Sequence, residues 1–479
     1  MPGQYLQEDW KLINGATPIL CFTTAILYAL YILSFPPTRR LYRKLSIFIL
    51  ALPTWYAFRY SDQLCPHFLV NDTFARTCLI WFAHMSYEVC VVEFAPVLPK
   101  DKQDMGEQEQ TKERIRQGYK VLFDRNHTQV LEQRQQHKSP TNPNGVSASK
   151  EKTGEEQYTA TDKKTDEPIL RSTRIQHGVV LPEKEGHGYS RWRFVGYHIL
   201  KGLVYYGLQR MFDLYETRYS PLVLPPSAYM TPGLLRFFQQ LPTSMDHQEI
   251  TWRLEFTFDW CILSLWMYES YHSVFAVLYV GSGLDGPEEW STALFGPFSN
   301  AWSVRRYWSK HWHNYVYHSF SGHIKCVTRG WLGMKRGAVT RMVENTLVFF
   351  VSGLMHSLVR WQQNPSGDCW AITCYYVAQI LPMIFEWCVA TQWSKVRKLL
   401  GFRSDSRWLR SAEYAIGYLW VIAWFLFSVP KYYQTRMAWS NVKRLRTFIA
   451  ELEAARALNE TSTERQRVGR GRSSSMRKE

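Results

Sequence analysis

The sequence predicts an all-α fold: a polytopic integral membrane protein of about eight transmembrane helices, interrupted by one long polar loop expected to be disordered. Three observations predict it. Apolar runs recur along the 479 residues, most of them near the roughly 20 helical residues that cross a hydrocarbon core. Aromatic residues make up 15% of the chain, with 20 Trp and 28 Tyr, an excess suited to membrane–water boundaries. Basic residues flank the apolar runs, as in Arg39, Arg40, Arg43 and Lys44 after the first of them, which is the pattern of the positive-inside rule. The net charge of +16 therefore points to a lipid surface and not to nucleic acid, whose partners gather such charges on one soluble face. The mean hydropathy of −0.29 averages these runs with a polar middle and hides them.

The expected spans are 17–35, 45–58, 74–98, 195–212, 256–281, 339–361, 369–393 and 412–429. They divide the chain into N-terminal transmembrane helices (1–98), a polar loop (99–192), a second membrane domain (193–430) and a basic tail (431–479). The first run follows Glu8 and Asp9 and has no small-residue cleavage site after it, so it reads as a retained span and not a signal peptide. The polar loop contains stretches such as SPTNPNGVSASKEKTGEEQ, with too little apolar surface to offset the entropy of ordering. Further basic residues, Lys395, Arg397, Lys398, Arg403, Arg407 and Arg410, follow a late span. Simple alternation of eight spans cannot place every basic loop and the tail on one side, so one segment is expected to be re-entrant or interfacial.

Nine Cys are scattered without a C-x-x-C pair, several inside apolar runs, which argues for small hydrophobes over a disulfide framework or zinc site. Sequons occur at Asn71, Asn126 and Asn459. Only Asn71 falls opposite the basic loop, as a lumenal glycan requires.

Candidate chemistry starts from FFVSGLMHSLVRW, Phe349–Trp361. Arg341, Asn345, Phe349, Ser352, His356 and Arg360 recur at steps of three and four and share one helical face. A polar stripe in an apolar span faces protein or a water-filled cavity. His356 on it is either an interhelical hydrogen-bonding group or a functional one. A second constellation, LFGPFSNAWSVRRYWSKHWHNYVYHSF (Leu294–Phe320), holds His311, His313 and His318, with His323 just beyond. On a helix His311 and His318 share a face while His313 lies nearly opposite, so their donors do not converge as a metal requires. No metal site is expected, and these rings are expected at the interface beside their Trp and Tyr neighbours. There is no G-x-S-x-G elbow, Gly-rich phosphate loop or H-E-x-x-H, which removes the common hydrolase, nucleotide and zinc-protease signatures.

These two stretches resemble the wax-synthase-like branch of the membrane-bound O-acyltransferases. That branch carries an "LFG … S-L-R-x-F-W-x-x-x-W-H" block, whose places are taken here by Ser303, Val304, Arg305, Arg306, Tyr307, Trp308, Trp312 and His313. Its F-x-x-S-G-x-x-H block is met by Phe349, Ser352, Gly353 and His356. The resemblance covers roughly residues 287–429. It implies many helices enclosing a tunnel and acyl transfer from an acyl-coenzyme A to a hydroxyl, with the intramembrane histidine, His356, as a catalytic residue. It also implies a second polar residue after the Trp of the first block, where His313 and then Asn314 follow Trp312. Fungal members of this branch often acetylate terpenoid or meroterpenoid alcohols, and the resemblance points there.

A neutral imidazole within reach of a hydroxyl acts as general base, for about 10²–10⁴-fold in rate, and burial disfavours its cation. Donors from His313 or Asn314 would stabilise the oxyanion. Arg305, Arg306 and Lys310 would meet the phosphates of coenzyme A, or anchor beside lipid headgroups. The expectation is an endoplasmic-reticulum acetyltransferase with acetyl-coenzyme A as co-substrate, no permanently bound cofactor, a hydrophobic alcohol as acceptor and the bilayer as partner. The alternatives are a long-chain wax or sterol ester synthase, a transporter using His356, Glu88 and Glu93, and a non-catalytic scaffold.

Overall fold

A computed structural model of the chain describes residues 12–65, 68–98, 106–123, 189–219, 247–291, 293–312, 317–363, 369–401 and 406–432, and they are helical with short connections. The principal helices are α1 (Leu12–Ser34), α2 (Arg40–Arg59), α3 (Phe68–Ser86), α4 (Glu107–Leu122), α5 (Arg191–Tyr219), α6 (His247–Phe258) and α7 (Ser264–Gly281). They continue with α8 (Tyr317–Lys325), α9 (Ala338–Gln363), α10 (Trp370–Ala378), α11 (Ile380–Leu399) and α12 (Arg407–Tyr432). By length and apolarity four stretches can cross a membrane: Gly15–Ser34, Ala338–Gln363, Trp370–Leu399 and Arg407–Tyr432. The other four expected spans are helical too, save that the span expected over 74–98 leaves the helix after Val91, and their polar residues take them below that apolarity.

Those polar residues pair across helices, which offsets the cost of holding them away from water. Lys201, which interrupts the apolar run of α5, meets Glu269 of α7 at 2.8 Å, both buried. His198 lies 3.3 Å from Ser273 in the same layer, and Gln209 donates to Ser270. The expected disorder of 99–192 is corrected at α4. Its Gly118, Val121 and Leu122 form a buried face, which closes on α1, where a Cβ on Gly118 would lie 2.6 Å from the Ser34 hydroxyl. Trp81 and His84 of α3 bond the carbonyls of Leu122 and Val121 at 2.9 and 2.8 Å. Residues 99–105 and 124–188 of the loop and the tail from 433 lie outside the described residues.

The helices run antiparallel with a consistent polarity. Asp72 at the start of α3 meets Arg360 at the end of α9, while Ser86 at the end of α3 meets His323, shortly before α9 begins. Arg43 reaches the Phe94 carbonyl and Arg40 pairs with Glu93, so the Arg39–Lys44 loop belongs to that second end. The turn before α9, with Lys335 and Arg336, and the basic α11–α12 connection lie there as well, because α10–α11 returns antiparallel to α9. Three basic loops thus share one end of the bundle, the side on which simple alternation places the connections after the first, fifth and seventh expected spans. Tyr432 closes the described chain at the opposite end, beside Tyr375 and Tyr376.

Candidate active site

The second sequence block folds as part of α9, and its glycine sets the contact with α10. A Cβ at Gly353 would lie 2.8 Å from the Thr373 Cα and 3.0 Å from the Tyr376 Cβ, so the two helices approach as closely as backbones allow. One turn on, the Ser357 hydroxyl donates to the Cys369 carbonyl at 2.6 Å and lies 2.7 Å from the Thr373 hydroxyl. This crossing brings Tyr376 flat against His356, with ring centroids 4.6 Å apart and planes 3° from parallel. Phe349, two turns before His356, packs edge-on against Trp308 of the first block. The expected stripe holds only in this half of α9. Arg341 and Asn345 are exposed, and the buried polar group there is Glu344, held by Arg329 at 2.6 and 2.7 Å and by Thr328. The segment after α8 covers the Glu344 face instead.

The first block is not one helix. A short helix, Val304–Arg306, runs into a wide π turn, Tyr307–His311, a form that appears mostly as single turns, frequently at functional sites. Ser303 caps it by accepting from the Arg306 amide. The Gly296 amide donates to the His311 carbonyl at 2.9 Å, and the His311 Nδ1–H donates to the Gly296 carbonyl at 2.6 Å. That bond fixes the His311 tautomer, and burial pushes its pKa below the ordinary histidine value, the Gly296 carbonyl pulling part of the way back. At 1% exposure, His311 is buried, which corrects its expected interfacial place. His323 is likewise tied down, to Ser86 and Ala83 of α3.

Around this turn the aromatics form the core of the site. Trp312 stacks on Trp260 of the turn between α6 and α7, 4.9 Å apart and nearly parallel. Trp308 touches Trp312, Phe349 and Tyr376, so a continuous set of rings joins the end of the first block to His356. Two residues that the motif reading missed hold it. Gln379, fully buried at the junction of α10 and α11, accepts from the indoles of Trp308 and Trp424 at 3.3 and 2.9 Å. Glu386 accepts from the amides of Val304 and Arg305 and from the Trp420 indole. Polar side chains two turns apart in an apolar run were the available signal, since such groups seek protein partners.

Beneath His356 lies a buried ion cluster. Asp72 pairs with Arg76 one turn along α3, with Arg360 of α9 at 3.0 Å and with Gln363, while Arg76 also donates to the Tyr268 hydroxyl.

The remaining expected site residues divide as follows. His313 and Asn314 lie outside the described residues, as do Asn126 and Asn459. Arg306 spends its guanidinium on Asn300 and on the face of Trp302, 4.7 Å away. Arg305 is exposed and Lys310 half-buried. Asn71 is buried, its amide donating to the carbonyls of Asp62 and Cys65, so a glycan there would remove one of these two N–H donors. Glu93, paired with Arg40, sits at the basic end and does not gather with His356. Among the described residues no group of three His, Cys, Asp or Glu is placed to hold a metal.

Residues 290–377, which span both blocks, match the model of the membrane bound O-acyl transferase family. The chain resembles the membrane bound O-acyl transferases. Similar proteins include "Acetyltransferase aurG" of Calcarisporium arbuscula, 29% identical over 38% of this chain and 43% of that protein. "Acetyltransferase ple2" of Rhodocybe pseudopiperita is 24% identical over 44% and 55%, and "Acetyltransferase eriL" of Hericium erinaceus is 26% identical over 52% and 59%. The chain spans about half the length of the curated relatives it matches. No solved structure matches it. In the matched stretch Gly353 and Trp308 both bear on Tyr376, the ring on which His356 stacks.

Proposed function

We propose that the protein is a membrane-bound O-acetyltransferase that moves the acetyl group of acetyl-coenzyme A to a hydroxyl of a hydrophobic terpenoid or meroterpenoid, in secondary-metabolite biosynthesis. The observation that carries this reading is the stack of His356 on Tyr376, whose ring meets Trp308 of the first block. Through Tyr376 the imidazole of the second block is linked to Trp308 of the first, the block whose sequence ends on His313 and is followed by Asn314, and this supports the reading. The acetyltransferases among the similar proteins support the acyl length, and the acceptor class rests on the resemblance of the two sequence blocks.

His356 takes the proton of the acceptor hydroxyl as its oxygen attacks the thioester carbonyl. The C–S bond then breaks, and the thiolate of coenzyme A leaves with that proton. A thioester is already activated, so a base and a positioned substrate pair suffice, and holding the pair out of water supplies much of the rate. His313 or Asn314 donates to the oxyanion formed on the way. Arg305, exposed near the start of the first block, and Lys310 are the cations offered to the coenzyme A phosphates, since Arg306 is engaged within the block. The end carrying the three basic loops faces the cytosol of the endoplasmic reticulum by the positive-inside rule.

The test uses membranes containing the protein, radiolabelled acetyl- or palmitoyl-coenzyme A, and a panel of terpenoid alcohols including farnesol. Acetyl ester formation by the wild type and its loss in His356→Ala, with an unchanged elution profile in detergent, is the expected result. Palmitoyl transfer alone would indicate the wax-ester alternative. An active His356→Ala protein would remove the proposed base.

A further inference from the structure

We infer that Tyr376 is a positioning residue, whose ring holds the plane of the His356 imidazole for proton transfer; this rests on the acyl-transfer reading above. A general base works only when its nitrogen is aimed, and a misplacement of 1 Å can cost about 10²-fold in rate. An imidazole swings about two side-chain bonds, so its aim must come from its neighbours.

The contact is a face-to-face stack, with planes 3° from parallel. Such a contact grips the ring by its face, and both nitrogens lie on the edge, so the grip does not use the atoms that carry the proton. Tyr376 is itself immobilised from several sides. Its Cβ abuts Gly353, where no side chain could stand. Its ring meets Tyr375 and Tyr432 edge-on, at 5.3 and 6.2 Å, and Trp308 of the first block at 6.1 Å. The ring is thus part of the buried core, while the imidazole on it is half-buried. A rigid ring of one helix supports the less enclosed reactive ring of another. Tyr376 lies just inside the family-matched stretch but outside both sequence blocks, and only the α9–α10 crossing shows what it touches.

The experiment compares Tyr376→Phe and Tyr376→Leu in lipid nanodiscs, with acetyl-coenzyme A and the best acceptor of the terpenoid panel. The Phe variant keeps the stack and is expected to retain kcat within about threefold. The Leu variant loses it, and kcat is expected to fall about 10²-fold with both KM values unchanged. If the Leu variant does not fold, Tyr376→Met fills the space with a flexible chain and carries the same expectation. A Leu or Met variant with wild-type kcat overturns the inference, as does a change confined to KM, or a Phe variant as slow as Leu. These results count against Tyr376 alone where the wild type transfers acetyl and His356→Ala does not. A wild type without transfer activity overturns the reading of the site, and the inference with it.

Discussion

Gly296 and His311 hold each other through two hydrogen bonds, backbone to backbone in one direction and ring to backbone in the other. The pair folds the LFG end of the first block onto its π turn. A Cβ at Gly296 would fall 1.9 Å from the Lys310 carbonyl, so the backbone itself would have to move.

Gly296→Ala is therefore expected to lower stability by about 1–3 kcal/mol or more, as overpacking does, and to abolish transfer. Gly207→Ala is the control, with nothing within 4 Å of its added carbon. Thermal midpoints in detergent decide it: equal midpoints for the two variants would show that the close approach is not needed.

Glu386 receives two amides of the Val304 turn and the Trp420 indole. Removing it in Glu386→Ala strands those donors, at a cost of about 1–3 kcal/mol. The Gln variant keeps an oxygen acceptor and is expected to lose less, through the charge that favours a helix N-terminus. Urea or thermal unfolding of both variants gives the order, and an Ala variant as stable as wild type would contradict it.

Asp72 is shared by two arginines, so the three charges should not contribute additively. Asp72→Asn leaves both guanidinium groups without their carboxylate and is expected to cost about 3–5 kcal/mol, the range for breaking a buried pair. Arg360→Met removes one charge and should cost less, while the double variant should fall short of the sum of the singles. Thermal midpoints around this mutant cycle check the coupling, and simple additivity would refute it.

Acid should destabilise the protein through His311 and His323. Burial lowers both pKa values in the folded state, so the unfolded chain binds more protons below its ordinary histidine pKa of about 6.5. Their contribution is complete above about 6.5 and is lost as pH falls through the lower folded values. A melting midpoint that drops between pH 7.5 and 5, with a shallower drop in His311→Gln, is the expected outcome. Identical pH curves for that variant and wild type would exclude His311.

The helices were legible because apolar runs of bilayer length admit few other structures, and His356 stood out because an imidazole in such a run demands a reason. The glycines of both blocks were legible as letters but not as contacts. Gly353 owes its meaning to Thr373 and Tyr376, and Gly296 to Lys310, which no local pattern pairs with it. Helical periodicity put Asn345 on the buried face, whereas packing chose Glu344, because the segment after α8 covers that side. Gln379 and Glu386 were invisible as partners of the first block for the same reason: long-range hydrogen bonds leave no spacing rule. The α4 helix was hidden by its composition, since only three of its residues face α1 and α3.

The depth of His356 has a consequence for the donor. It lies seven residues from the end of α9 and eighteen from its start, or about 10 Å and 27 Å at 1.5 Å per residue. A highly charged nucleotide entering from the rim with the basic loops would have to thread its thioester down much of the helix. Reach, and not pocket volume, would then be the ruler for the donor. A greasy acceptor, already dissolved in the bilayer, could approach sideways, so the two reactants would arrive by perpendicular routes and need not queue for one entrance.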